Sequence, residues 1–338
     1  MGKMRIHVGV TTLMIFFVFT LWARQRDGER SGVASTLMNS NIVARQRTDR
    51  LSNRTQTFRV GNQPRGVAFD GTNIWVANSG DNNVMKLRAS DGKIVGTYPV
   101  GSAPDGVVFD GENIWVVDQD SDNVTKLRAV DGTVLGTFRV GHRPGTAAFD
   151  GAHIWVANTY AHDVTELRAS DGALLGTFAV GQFPYGVTFD GANIWVVCFG
   201  SNNVIKLRAR DGAQLGTFAV GNKPLASAFD GQNLWVTNHG SSNVTKLRAS
   251  DGRVLSTVNV GVKPYGAAYV GPNLWVANDG GNSVSELRTG DGSVVRTLGV
   301  GYAPESLVFD GDCVWVTNAK SKSVTKIPTS ASGTASKL

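Results

Sequence analysis

The stretch Gly61–Val100, GNQPRGVAFDGTNIWVANSGDNNVMKLRASDGKIVGTYPV, returns every forty residues without slippage to the end of the 338-residue chain. Tryptophan keeps the period at Trp75, Trp115, Trp155, Trp195, Trp235, Trp275 and Trp315, and proline keeps it from Pro64 to Pro304. Seven copies at such a period specify a repeat architecture before any other feature is weighed. Within the first copy, turn signals divide four apolar runs: Gly66–Phe69, Ile74–Ala77, Val84–Ala89 and Ile94–Val100. Asp70-Gly71 and Asp91-Gly92 separate the first from the second and the third from the fourth, and the polar segment Asn78–Asn83 separates the middle two. Asp-Gly between β-branched and aromatic runs is a hairpin signal. No window sustains the i, i+3, i+4, i+7 pattern of a helix. Each copy therefore reads as a four-stranded antiparallel meander, A-B-C-D, which is one blade of a β-propeller.

The ends of the repeat region distinguish a ring from an open stack. The seventh copy supplies strands A, B and C, ending at Ser323–Ile327, and has no strand D. Thr57-Phe58-Arg59-Val60, ahead of the first copy, aligns with Thr137-Phe138-Arg139-Val140, a strand D. An orphan strand at the N-terminus has a use only if the circle closes, which also hides sheet edges from other chains. The expected fold is all-β: a seven-bladed propeller over 54–328, with three-plus-one closure by an N-terminal strand at 54–60.

Residues 1–23 place Lys3 and Arg5 before an uncharged run, Ile6–Ala23. This reads either as a cleaved signal peptide or as an uncleaved membrane anchor, and both put the propeller outside the cytoplasm, secreted or periplasmic or held at the membrane. Residues 24–53 form a polar, basic linker expected to be disordered, and 329–338 a flexible tail. The charge belongs to the N-terminal end. Residues 1–60 carry ten Lys/Arg against three Asp/Glu, whereas 61–328 carry twenty-two against twenty-four. A basic stripe on the fold itself is thus missing, and nucleic acid is not an expected partner. The strand-C cations, such as Lys86 and Arg88 or Lys126 and Arg128, recur around the ring and read as solvated strand faces. Cys198 and Cys313 fall in blades four and seven, too far apart in the ring to be paired. The propeller is expected to be monomeric.

The strand-B signatures Leu234-Trp235-Val236-Thr237-Asn238 and Val314-Trp315-Val316-Thr317-Asn318 resemble the Tyr-Val-Thr-Asn motif of YVTN-type β-propeller repeats, with Trp for Tyr. Asn243-Val244-Thr245-Lys246-Leu247 and the closing Val-Gly of each copy fit the same pattern. The resemblance covers 57–328. It implies a propeller of the kind found in surface-layer and exported bacterial proteins. The blade pattern is also similar to NHL repeats and to streptogramin lyases, propeller enzymes that use a histidine, acidic residues and a magnesium ion.

Comparison of the copies with one another separates scaffold from candidate site. The A–B and C–D turns repeat Asp-Gly almost without change, as turn chemistry requires. The D–A and B–C loops, which surround the mouth of the central channel on the other face, differ in every blade. The residue after each proline reads Arg65, Asp105, Gly145, Tyr185, Leu225, Tyr265 and Glu305. Ring closure makes Glu305, Arg65 and Asp105 neighbours, and gives blades four to six an aromatic and aliphatic mouth. Arg65, Asp105, Tyr185, Leu225, Tyr265 and Glu305 are the candidate binding residues, with His142, Arg143, Tyr160, His162 and His239 around them. Asp118-Gln119-Asp120-Ser121-Asp122-Asn123 resembles the start of a calcium loop and makes Asp118, Asp120 and Asp122 candidate cation ligands. It lacks the glycine at the sixth position and the glutamate at the twelfth. No other cofactor is implied. His239 and Asp279, at one repeat position in successive blades, match the histidine and acid of the lyases, whose further histidine and second glutamate have no counterpart.

The leading functional expectation is an exported or membrane-tethered module that binds a protein, peptide or glycan through the variable face. The alternatives are a metal-assisted lyase or hydrolase at the channel mouth and a structural scaffold of the cell envelope.

Overall fold

The computed structural model describes residues 55–329. The expected leader at 1–23, the linker at 24–53 and the tail beyond Thr329 lie outside the described residues. Seven four-stranded antiparallel sheets follow one another, six of them continuous in sequence. Blade one comprises strands A (Pro64–Phe69), B (Asn73–Asn78), C (Asn83–Arg88) and D (Ile94–Pro99). Blade seven combines Pro304–Phe309, Cys313–Asn318 and Ser323–Pro328 with the N-terminal strand Gln56–Arg59 as its outermost member. That strand pairs antiparallel from Gln56 opposite Lys326 to Arg59 opposite Ser323. The closure read from the repeat ends is the closure of the ring.

The Asp-Gly turns hold each blade's tryptophan. Asp70 Oδ1 accepts the backbone N–H of Thr72 and Asn73 at 2.9 and 2.6 Å, while its Oδ2 accepts Trp75 Nε1–H at 2.7 Å. Gly71 takes φ +92°, a conformation that glycine adopts without steric cost. The same Trp–Asp bond recurs in every blade except six, where Val270 stands in place of the aspartate. In blade six the Arg296 guanidinium sits 5.3 Å from the Trp275 ring and pairs with Glu286 at 2.5 Å. Each tryptophan packs on the next blade: Trp75 lies among Ile114, Val116 and Leu127, and Trp315 closes the circle on Ile74, Val76 and Leu87. Aromatic side chains dominate such cores because each buries a large apolar area.

The strand-C lysines depart from the expected solvated faces. Lys86, Lys126 and Lys206 are buried. Lys86 Nζ lies 5.1 Å from the Trp75 ring and donates to the carbonyls of Ala129 and Val130 in the next blade, at 2.6 and 3.1 Å. Lys126 bonds Ala169 O at 2.7 Å, and Lys326 bonds Ala89 O at 2.6 Å across the closure. The strand C position faces the gap between blades, so the ammonium spans it and is held by carbonyls and an aromatic face. The arginines two residues on stay partly exposed and pair within their own turn, as Arg88 does with Asp91 at 3.1 Å. Cys198 and Cys313 are both free and buried.

Candidate functional site

The variable face is assembled by hydrogen bonds between its two kinds of loop. In blade one Ser79 N–H and Gly80 N–H donate to Gln63 O and Asn62 O, both at 3.0 Å, and the pattern repeats around the ring. The residue before each proline takes a left-handed conformation, with φ between 47° at Arg143 and 54° at Lys263. In blades two to seven its backbone N–H is taken by a side chain of the preceding blade. Asn82 Oδ1 accepts from Ala103, Asp122 Oδ1 from Arg143 at 2.8 Å, and His162 Nδ1 from Phe183 at 3.1 Å. The left-handed conformation costs an ordinary residue about 1–2 kcal/mol and persists because these bonds over-determine it. Asp122 and His162, both expected from sequence to serve a ligand, thus occupy a position that ties blade to blade.

The candidate cation loop is not assembled. Asp118 points into the blade, where its Oδ2 accepts Thr125 Oγ1–H at 2.6 Å. Asp120 pairs with Arg143 at 2.7 Å, and Asp122 is engaged by Arg143 N–H and His142 Nδ1. Asp118 is thus held within its own blade while Asp120 and Asp122 are engaged by blade three, and no group of three or more His, Cys, Asp or Glu able to hold a metal occurs among the described residues. Asp118 stands where five other blades carry asparagine, Asn78, Asn158, Asn238, Asn278 and Asn318. It is fully buried, and burial pushes its carboxyl up to about 7.

Below the mouth, the strand-A residues meet across the channel. Tyr185 Oη–H donates to Asp105 Oδ2 at 2.7 Å and lies 2.6 Å from Tyr265 Oη. Arg65 Nη1 is 3.3 Å from the same Asp105 oxygen, and its Nε is 4.0 Å from Glu305 Oε2. Gln119, which sequence reasoning passed over, donates to Asp105 Oδ2 at 3.4 Å. The nearby Asp105 carboxylate holds the Arg65 guanidinium firmly charged. Burial drives both tyrosines well above their ordinary range. Burial also raises Glu305 to about 8; Arg65 opposes that rise while Asp105 and Asp279 add to it. Asp105, Tyr185 and Leu225 are buried, so they plug the channel beneath the mouth. On the axial side of the plug is a cavity of about 260 Å³, lined largely by strand-A glycines and small residues. On the mouth side lies a second, of about 620 Å³, between blades six, seven and one. Arg65 and Glu305 line both.

Blades three and four present the exposed aromatic part of the face. Tyr160, 52% exposed, meets the edges of His142 and Phe183 with ring centres 5.9 and 5.5 Å apart, and the Arg143 guanidinium lies 5.4 Å from its ring. His162 packs edge-on against Phe183 at 4.9 Å. Farther round, His239 lies 6.5 Å from the Tyr265 ring; burial lowers its pKa, Asp279 counters, and Lys263 and Lys223 add to the lowering. Lys320 and Lys322 line the larger cavity. The signal that finds them in the sequence is that they stand in blade seven where blade one has Gly80 and Asn82.

No family model matches the chain, and no curated protein does. Solved structures match over most of its length. Hydrazine synthase of Kuenenia stuttgartiensis aligns with a TM-score of 0.71 at 18% identity, over 80% of this chain and 96% of that one. A streptogramin B lyase aligns with a TM-score of 0.70 at 16% identity, over 81% and 96%. Virginiamycin B lyase from Staphylococcus aureus aligns with a TM-score of 0.71 at 16% identity, over 82% and 99%. At such identities the likeness is one of fold alone, the seven-bladed β-propeller.

Proposed function

We propose that this protein is an exported or membrane-tethered binding module that recognises a protein, peptide or glycan through the face formed by its D–A and B–C loops. The observation that carries the reading is the aromatic and cationic patch of Tyr160, His142, Phe183 and Arg143 on that face. Exposed tyrosine and arginine held in place by neighbours are the side chains that anchor recognition surfaces. The plug residues support the same reading. Arg65, Asp105, Tyr185 and Tyr265 are bonded to one another, which suits a rigid floor better than proton transfer. The test is binding of the full-length protein to peptide and glycan arrays, followed by affinity measurements on Tyr160→Ala and Arg143→Ala. Loss of one such anchor is expected to weaken binding about tenfold, or roughly 1.4 kcal/mol. Unchanged affinity in the double variant, with the fold intact by circular dichroism, refutes the assignment of the patch.

A lyase reading draws on His239 beside Asp279 at the mouth and on the fold shared with streptogramin B lyases. It predicts magnesium-dependent opening of a streptogramin B ring, seen by mass spectrometry and abolished in His239→Ala. An intact ring after prolonged incubation removes it.

A further inference from the structure

The cavity of about 620 Å³ between blades six, seven and one has a lining unlike the rest of the mouth. Two acids, Asp279 and Glu305, and three cations, Arg65, Lys320 and Lys322, share it with the amide side chains of Asn62 and Gln63. The acids come from the B–C loop of blade six and the first strand of blade seven. The two lysines come from the B–C loop of blade seven. Arg65 is already committed to Asp105, at 3.3 Å. Glu305 Oε2 is buried and has no hydrogen-bond partner among the described residues, its one cationic neighbour being Arg65 Nε at 4.0 Å. A buried carboxyl oxygen left without a hydrogen-bond partner is costly, and a ligand that brings a donor relieves that cost.

We propose that this cavity is a binding site for a small zwitterion of the amino-acid class, its ammonium group taken by Glu305 and Asp279 and its carboxylate by Lys320 and Lys322. The inference rests on the reading of the variable face as a recognition surface and gives one sector of it a ligand class. The volume accommodates a free amino acid, and the pairing of opposite charges in one pocket rejects ligands that carry a single charge. Asp279 also adds to the rise of Glu305 to about 8. An ammonium group brought between them reverses that influence, so Glu305 gives up its proton when the ligand arrives.

The experiment is isothermal titration calorimetry of the full-length protein with L-alanine and L-phenylalanine, alongside N-acetyl-L-alanine and L-alanine methyl ester. Each titration is repeated at pH 7 in two buffers of different ionisation enthalpy. At least one free amino acid is expected to bind. Removing either charge from the ligand is expected to weaken binding about tenfold or more, as is typical for loss of a charge-assisted contact. Glu305→Gln is expected to weaken the free amino acid and to abolish proton release, and Lys320→Ala/Lys322→Ala to erase the preference over the methyl ester. Thermal unfolding of each variant confirms that it is folded. Failure of both amino acids to bind at millimolar concentration overturns the proposal, as does binding of the two blocked analogues as tightly as free L-alanine. If the amino acids fail while Tyr160→Ala still weakens peptide or glycan binding, the pocket proposal falls and the recognition face stands. If neither binds, both readings fall.

Discussion

Asp118→Asn should make this propeller more stable, and by an amount that grows with pH. In blade three Asn158 Nδ2 donates to Asp163 Oδ1 at 2.6 Å and to Thr165 Oγ1 at 2.7 Å; in blade five Asn238 does the same to Asn243 and Thr245, both at 2.8 Å. Asp118 has no such donor. Its Oδ1 and the Oδ1 of Asn123, its partner across the strands, both lack a hydrogen-bond partner among the described residues. Asparagine supplies the missing N–H, for a gain of about 1 kcal/mol once the carboxyl is ionised and has no proton to donate. The larger effect is ionic. The Asp118 carboxyl is raised from 3.8 to about 7, with burial as the first cause. A carboxyl raised on folding contributes stability that is complete below its unfolded value and is lost as pH rises through the folded one. At about 1.4 kcal/mol per pH unit, the wild type loses on the order of 2–3 kcal/mol from this group between pH 5 and pH 8, and the asparagine variant does not. Urea unfolding followed by circular dichroism at pH 5, 6.5 and 8 measures the difference directly. A stability difference that stays constant with pH, or a wild type more stable than the variant at pH 8, refutes the assignment of a buried, reluctantly ionised carboxyl.

Further outcomes follow from the packing between blades. Asp110→Ala removes the acceptor of the buried Trp115 Nε1–H and of two backbone amides, and should cost about 2–4 kcal/mol in urea unfolding; Trp115→Phe in that background should recover part of it. Burial raises the Asp110 carboxyl, but its N–H donors outweigh burial and hold it below the ordinary range, so its contribution, present at neutral pH, is lost in acid, with a Tm that falls less steeply in Asp110→Ala. Lys126→Met keeps the stem over Trp115 but loses the bonds to Ala169 O and Ser170 O, for about 1–2 kcal/mol; a silent substitution would show that the lysine staples are incidental. Gly132→Ala places a methyl 2.1 Å from the Tyr98 ring at φ +74°, and should lower stability by about 2–4 kcal/mol, read as a lower urea midpoint. Phe58→Ala, which unstacks the closing strand from Trp315 at 5.5 Å, should destabilise by roughly 3 kcal/mol; if Phe58→Ala is silent while Phe138→Ala is not, the N-terminal strand is dispensable for closure.

The repeat made the architecture legible because each forty-residue copy spells its own turns. Asp-Gly can form a tight turn from local chemistry alone, and the displaced strand at Thr57–Val60 needed only alignment with its sister copies to reveal the closure. The division into a monotonous face and a variable one was equally local, since it follows from which loop a residue occupies. Even the adjacency of Glu305, Arg65 and Asp105 could be deduced, because a ring makes the last blade the neighbour of the first.

What tertiary structure alone decided is where side chains reach across gaps. Tyr185 meets Asp105, and Tyr265 meets Tyr185, each from eighty residues away, because two long phenols span the channel at one height, which depends on its width and is encoded in no single copy. That meeting turned expected surface residues into a buried plug. The strand-C lysines read as solvated because they are charged and recur around the ring, yet the inter-blade gap holds them over tryptophan. Asp118, Asp120 and Asp122 look like a cation loop in one dimension, but the fold sends one inward, one to the Arg143 guanidinium and one to the Arg143 N–H and His142. Spacing along a chain sets which residues share a loop; the direction in which each side chain leaves the backbone, and what waits there, is set by the packed ring.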